Sequence, residues 1–600
     1  MITDTTFQKA KTSPLCSNGY GASIQTIDEL STPKLRNRIG NNKIQVSTNH
    51  QQVAIWFNQG LNLLHGFWYI EAYRAFKQAI ALDNAFAMGY WGLAMCQPGF
   101  AGEETELWQK SIQKANALKQ ETSLKEQRLI EASLVLISKG LEKAYPAFRQ
   151  LAIDFSDNPE LVALAAIIMH QAPNADASIQ KEIQEMLERS LQKTPDNMAL
   201  LHYYIHITET GSEFLKAKPA AEKLLALYAE SPHLVHMAGH IYFLEGAYQK
   251  VVAIFEKAKT LEEDYHRTEK IAFAANQNYM HNLHYLAVAY TELGDYENAL
   301  KIAHKYADIE LLQALKGTLS TNLMIRYEGR TLPVFVHIRF RQWDKAIKIL
   351  NQSLHQFYLP PDNFFVKTYL QALVDYCKGM KQIEQNQVNA ALQHAKNMSQ
   401  FLEAFNAKRI KLPMGSETAL LNETYDILKM HQLELYGWLD NINASNSFNA
   451  TAFIEAIQLE ESIGYDEPPR LLYLIGERIG HLYLKRGEKE RANHAFSMAL
   501  KKRPNSLRIK SLTPTGTSIG LTYNVSVSGG VTSISPRSGT YGSATTFTLN
   551  NNSAGGGDVI ITITDVDDAS CTRDVVVTDP GACVNCLSQQ CGTVIITINN

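Results

Sequence analysis

One spacing recurs along the first five hundred residues and leaves the chain little choice of fold. In WFNQGLNLLHGFWYIEAYRAFKQAIALDN, Trp56, Gly60, Tyr69, Ala72, Phe76 and Ala79 stand at fixed intervals, and Tyr90, Leu93 and Ala94 open the next copy 34 residues on. Gly239, Tyr242, Gly246, Tyr248, Phe255 and Ala258 repeat the pattern, as do Leu283, Leu286, Ala287, Tyr290, Gly294, Tyr296 and Ala299. Gly480, Tyr483, Gly487, Ala492, Phe496, Ala499 and Pro504 close the series. Apolar residues recur every three or four positions throughout, which is the period of an amphipathic helix. Small residues let two antiparallel helices approach, and aromatic residues fill the gap to the next hairpin. One hairpin cannot bury its own apolar face, so hairpins must stack. The expected fold is mainly α: a solenoid of helical hairpins, wound as a right-handed superhelix over residues 47–505, after a partly extended N-terminal stretch at 1–46. Around 100–195 and 310–470 the repeat is degenerate.

Past Pro504 the composition changes. No lysine follows Lys510, and stretches such as TYNVSV, TTFTL, DVIITITDV and TVIITI alternate with Gly, Ser and Asn turns. A period of two bounded by turn residues predicts a small antiparallel β-sandwich over 506–600. Cys571, Cys583, Cys586 and Cys591 crowd into its end, whereas Cys16, Cys96 and Cys377 are scattered. The four fit either a zinc clip or two disulfides. The Thr/Gly/Asn-rich setting favours disulfides, with any of three pairings. The closing strand, GTVIITINN, completes its own sheet or adds to that of another copy, which would give self-association.

The spaced small and aromatic residues resemble the tetratricopeptide (TPR) repeat. The order of VSTNHQQVAIWFNQGLNLLHGFWYIEAYRAF, LDNAFAMGYWGLAM, LHYYIHITE, PHLVHMAGHIYFLEGAYQ, MHNLHYLAVAY and LEESIGYDEPPR resembles a largely uncharacterised group of bacterial TPR proteins, over about residues 36–505. The resemblance implies the helical architecture and draws attention to the histidines, but implies no reaction. The tail lies outside the group's common pattern and resembles immunoglobulin-like modules of bacterial surface proteins.

Charge and motifs exclude several functions. With 57 basic and 60 acidic residues the formal charge is −3, which gives no basic footprint for nucleic acid. No apolar run reaches the ~18 residues of a membrane span. No signal peptide is visible at the N-terminus, although the tail suggests a cell-envelope or extracellular setting. There is no P-loop, dinucleotide glycine fingerprint, HExxH or GxSxG, and the chain reads as non-enzymatic. Glu460, Glu461, Asp466 and Glu467 of LEESIGYDEPPR read as a helix stop ahead of the last hairpin.

The histidines are the main chemical signal. His233, His236 and His240 fall within about 60° on a helical wheel, opposite Val235, Ala238, Gly239 and Tyr242. Counting back 34 residues puts His202 and His206 at the places of His236 and His240, and counting from Gly294 puts His281 and His284 at those of His233 and His236. Seven of the chain's 18 histidines thus project onto one concave surface, with Glu209 and Glu292 one turn further on. Three readings fit. The preferred one is a His/Tyr-rich groove for a protein or peptide, lined by these residues and Tyr203. The second is a transition-metal site for zinc, iron or copper, drawing on His202, His206, His236, His240, His281 and His284, which would make the chain a metalloprotein or metalloenzyme. The third is a hydrogen-bonded histidine ladder that only fills space. A different possibility for the whole chain is a filament or surface-assembly subunit joined through the C-terminal strand.

Overall fold

Rings packed on glycines set the hairpin register. A Cβ built on Gly60 or Gly92 would stand 2.7 or 2.4 Å from the ring of Phe76, and one on Gly239 would stand 2.3 Å from that of Phe255. The aromatic and small residues of the repeat are therefore partners across the hairpin. The computed structural model describes residues 27–512 except 101–104, 173–175, 310–323, 357–363, 414–415, 443–447 and 464–466, together with seven strands beyond 512. Two compact units result, one of residues 1–475 with 503–508 and one of 476–502 with 509–600.

The first unit is a stack of helical hairpins. Gln51–His65 packs on Tyr69–Leu82, Pro232–Glu245 on Tyr248–Glu269, and Gln277–Glu292 on Tyr296–Ala307. The degenerate stretch keeps the plan: Thr105–Leu118, Leu124–Lys139, Leu141–Asp154, Pro159–His170 and Ala177–Lys193 follow in order, each packed on the next. Helices form there without the repeat residues, most of them with one apolar face buried. Local signals set the boundaries. Ser123 and Glu126 form a capping box, Asn158 and Asn197 cap the helices that follow them, and Pro232 stands in the first turn of its helix. Gly246 ends that helix at φ +79°, a conformation that favours glycine.

The N-terminal segment is bound to this unit. The Asn42 backbone N–H donates to Asn62 Oδ1 at 2.8 Å, and its amide donates to Glu160 Oε2 at 2.6 Å. Arg36 lies over the Trp68 ring and pairs with Glu71 at 3.3 Å. No helix of the described residues is long and apolar enough to cross a membrane.

The second unit contains the hairpin of Ile475–Lys485 and Lys489–Lys502, where Phe496 lies on Gly480, and two antiparallel sheets. The strands are β1 Thr522–Gly529, β2 Ser533–Ser535, β3 Ser538–Thr540, β4 Thr545–Asn550, β5 Val559–Asp565, β6 Thr572–Val577 and β7 Ile595–Ile598. Their orders are β3-β1-β5-β6 and β2-β4-β7. Val525 pairs with Ile563, and the alternation is visible where Ile561 is buried and its neighbour Ile560 exposed. The terminal strand β7 pairs with β4 of its own chain. Cys16 and the four tail cysteines lie outside the described residues, while Cys96 and Cys377 are buried.

Candidate metal centre

Three successive inner helices, Met198–Thr208, Pro232–Glu245 and Gln277–Glu292, carry the histidines. The expectation of an open groove needs correction. His202, His206, His233, His236, His240 and His281 are 0–8 % exposed and turn toward one another inside the stack. The cover comes partly from outside these three helices. Phe67, in the turn after the first helix, places its ring 4.7, 5.7 and 5.1 Å from those of His202, His206 and His233. Its φ of +50° is costly for a bulky residue, by about 1–3 kcal/mol, and is held by the surrounding packing. Tyr285 covers His240, with ring centroids 4.8 Å apart.

The rings form two triads, His202/His206/His233 and His236/His240/His281, and the candidate ligand atoms of each lie within 4.8 Å of one another. In the first triad, the His202 Nε2 is 3.1 Å from Nε2 of both His206 and His233. Two of the other ring nitrogens are anchored outward. His202 Nδ1 is 2.6 Å from the His65 carbonyl oxygen, and His206 Nδ1 is 3.0 Å from Glu209 Oε1. Both partners accept hydrogen bonds only, so each Nδ1 bears the hydrogen and each Nε2 presents a lone pair inward.

The second triad is built alike. His236 Nε2 and His240 Nε2 are 2.8 Å apart. His236 Nδ1 donates to Asn282 Oδ1 at 2.9 Å, and the Asn282 amide is fixed because its nitrogen donates to the Phe255 carbonyl. His240 Nδ1 donates to Glu209 Oε2 at 2.7 Å and lies 3.0 Å from Glu467 Oε2. One carboxylate, Glu209, therefore holds a ring in each triad.

Burial pushes the imidazoles of His202, His233, His236 and His281 well below their ordinary range and that of His206 to about 3, with neighbouring rings adding to the effect. His240 moves the other way. Burial acts to lower it, but the carboxylates of Glu209 and Glu467 raise it to about 10. The His240 imidazolium can donate its Nε2 hydrogen to His236. The first triad has no such proton. With His202 and His206 neutral, two lone pairs face each other at 3.1 Å, and a hydrogen on His233 Nε2 can satisfy only the contact to His202.

Several expected residues lie elsewhere. Tyr203 hydrogen-bonds His65 Nδ1 at 2.9 Å, behind the triad. His284 is turned toward Glu328, 3.8 Å away, and lines a small cavity with Tyr327, Tyr369 and Arg470. Glu292 is paired with Arg339 at 3.2 Å, both fully buried. These two share the helix but not the triads, because their side chains leave it toward the following hairpin. In return the structure adds Glu467, whose side chain is 3 % exposed, to the expected set. The YDEPPR stretch contains Glu467, yet a Pro-Pro stop hides the inward turn of that carboxylate; Asp466 lies outside the described residues. His65, whose Nε2 lies 3.4 Å from Glu160 Oε2, Phe67 and Asn282 were likewise invisible as site residues, since each acts from a different helix or turn.

No family model matches this chain, and no curated protein is similar to it in sequence. Among solved structures, the human IFIT1 dimer with m7Gppp-AAAA is 13 % identical with a TM-score of 0.30, covering 76 % of this chain and 90 % of that one. The APC/C hetero-tetramer Cut9-Hcn1 is 13 % identical with a TM-score of 0.28, covering 77 % and 75 %. Likenesses this distant carry no argument about what the chain binds, and the helical-repeat fold stands on the packing described above.

Proposed function

We propose that this helical-repeat protein is a metalloprotein that holds a divalent transition-metal ion in its interior through His202, His206 and His233. The observation that carries this reading is the convergence of three buried Nε2 atoms, with the rings of His202 and His206 anchored at the far side. A cation between rings so oriented would satisfy the facing lone pairs. Outward Nδ1–H groups on a carbonyl and a carboxylate are also the outer-shell pattern that fixes metal-binding imidazoles. Metal–nitrogen bonds of 2.0–2.1 Å in a tetrahedron separate ligand nitrogens by about 3.3 Å, close to the spacing here. Three neutral imidazoles suit zinc, copper, nickel or ferrous iron, and leave a fourth position for water or another ligand.

Elemental analysis of untagged protein tests the reading. Stoichiometric metal is expected, and it is lost in the His202→Ala/His206→Ala variant while the helical circular-dichroism signal remains. Folded wild-type protein that neither contains metal nor takes up zinc in titration overturns it. The peptide-groove reading is weaker, because these rings face each other and not solvent.

The tail proposal is separate. Alternating strands in two antiparallel sheets support a small β-sandwich, and its four clustered cysteines would staple it with two disulfides. The chain has seven cysteines, so denatured protein prepared without reductant should titrate three thiols. Seven reactive thiols would remove the disulfides from the proposal.

A further inference from the structure

The repeat that builds the first triad builds it twice. Met198–Thr208 and Pro232–Glu245 begin 34 residues apart, so each position in one has a counterpart in the other. Counting from Met198 and Pro232, His202 and His206 hold the fifth and ninth places of the first helix, and His236 and His240 hold the same places of the second. The third ring of each set comes from the second place of the next inner helix: His233, and His281 counted from Met280. The same three places are thus used twice, one repeat apart. The series then stops at both ends, with Ala199 in the second place of the first helix and Val288 in the ninth place of the third.

We propose that the centre is dinuclear, with a second divalent transition-metal ion held by His236, His240 and His281; this rests on the reading of the first triad as a metal site. Geometry supports it apart from the repeat. The second set has its own outward anchors, Asn282 for His236 and Glu209 with Glu467 for His240; Nε2 of His236 and His240 are 2.8 Å apart, and a ring nitrogen of His281 lies within 4.8 Å of its partners' ligand atoms, so an ion there would take the place of the His240 Nε2 hydrogen. An i, i+4 pair on one helix presents two rings to one ion, and a ring from the adjacent helix completes a three-nitrogen face. Glu209, hydrogen-bonded to His206 at one oxygen and His240 at the other, ties the two faces together. Two divalent ions bring four positive charges against the two carboxylates of Glu209 and Glu467. A buried pair of ions would therefore draw anionic ligands such as hydroxide into the open positions, the arrangement by which paired metals activate water.

Titration of the chelator-treated full chain with Co2+, read by native mass spectrometry and by visible absorption, separates the possibilities. Two equivalents are expected for the wild type, one for His281→Gln, one for His233→Gln and none for the double variant. A single wild-type equivalent that His281→Gln retains and His233→Gln loses overturns the second site and leaves the first. One equivalent lost in either variant means a single shared site and also overturns it. No bound metal in the wild type overturns both readings. Cd-113 NMR of the unmutated chain supplies a measurement that does not depend on variants folding: two resonances are expected, and one alone overturns the dinuclear centre.

Discussion

Glu262 shows how one buried side chain writes a pH dependence into the helical unit. It is 4 % exposed, and its Oε2 accepts from the Asn276 amide at 2.6 Å. Burial raises its carboxyl to about 8, although the Asn276 hydrogen bond acts to lower it. The folded chain therefore keeps a proton that the unfolded chain releases above its ordinary value of 4.5. Native protein binds more protons than unfolded protein between those two values, so this contribution to stability is full below about 4.5 and falls as pH rises toward about 8. Glu262→Gln keeps the shape and removes the titration. Between pH 5 and pH 8.5 the wild type should lose more urea resistance than the variant, by up to about 4 kcal/mol at roughly 1.4 kcal/mol per pH unit. Parallel pH profiles of the two proteins would show that Glu262 ionises freely in the fold.

At the scale of elements, the hairpin is the unit that carries both the fold and the site. Gly239 lets the Phe255 ring cross the helix at close range, with no room for a methyl group. Phe255 in turn packs on His236, ring centroids 4.9 Å apart, and its carbonyl fixes Asn282. Gly239→Ala is therefore expected to destabilise by about 1–3 kcal/mol through overpacking. It should also weaken metal uptake at the second triad more than at the first. Thermal unfolding and Co2+ stoichiometry check the two effects, and adding Phe255→Leu should recover part of the melting temperature. An unchanged melting temperature would mean that the hairpin has slack that the ring contacts deny.

For the whole molecule, the centre joins parts of the chain far apart in sequence: a turn near Phe67, three successive hairpins and the Glu467 stretch. An ion bound only in the folded arrangement stabilises it by mass action, about 4 kcal/mol at a thousandfold excess over Kd. Metal-loaded protein should melt at higher temperature than chelator-treated protein, and the difference should vanish in His202→Ala/His206→Ala. Equal melting temperatures for loaded and stripped wild type would leave the histidines as packing residues.

How much of this could be read from sequence depends on whether the signal is local. The helical hairpins were legible because period and repeat spacing are properties of neighbouring residues: Gly60 with Phe76 and Gly239 with Phe255 are contacts within one hairpin. The register of His202, His206, His233, His236, His240 and His281 was legible for the same reason, since a 34-residue repeat carries positions from one helix to the next. The interior character of the site was not. A helical wheel gives a direction but not what covers it, and the cover comes from Phe67 and Tyr285, with Glu467 brought in from more than two hundred residues away. The exits of His284 and Glu292 from the cluster also depend on the next hairpin, where Glu328 and Arg339 take them as partners. The sequence by itself determined which residues repeat and on which helix face they lie. Only the tertiary structure decided that the rings meet and that His202, His206 and His236 turn lone pairs inward, because that depends on acceptors supplied by the His65 carbonyl, Glu209 and Asn282 from three different elements.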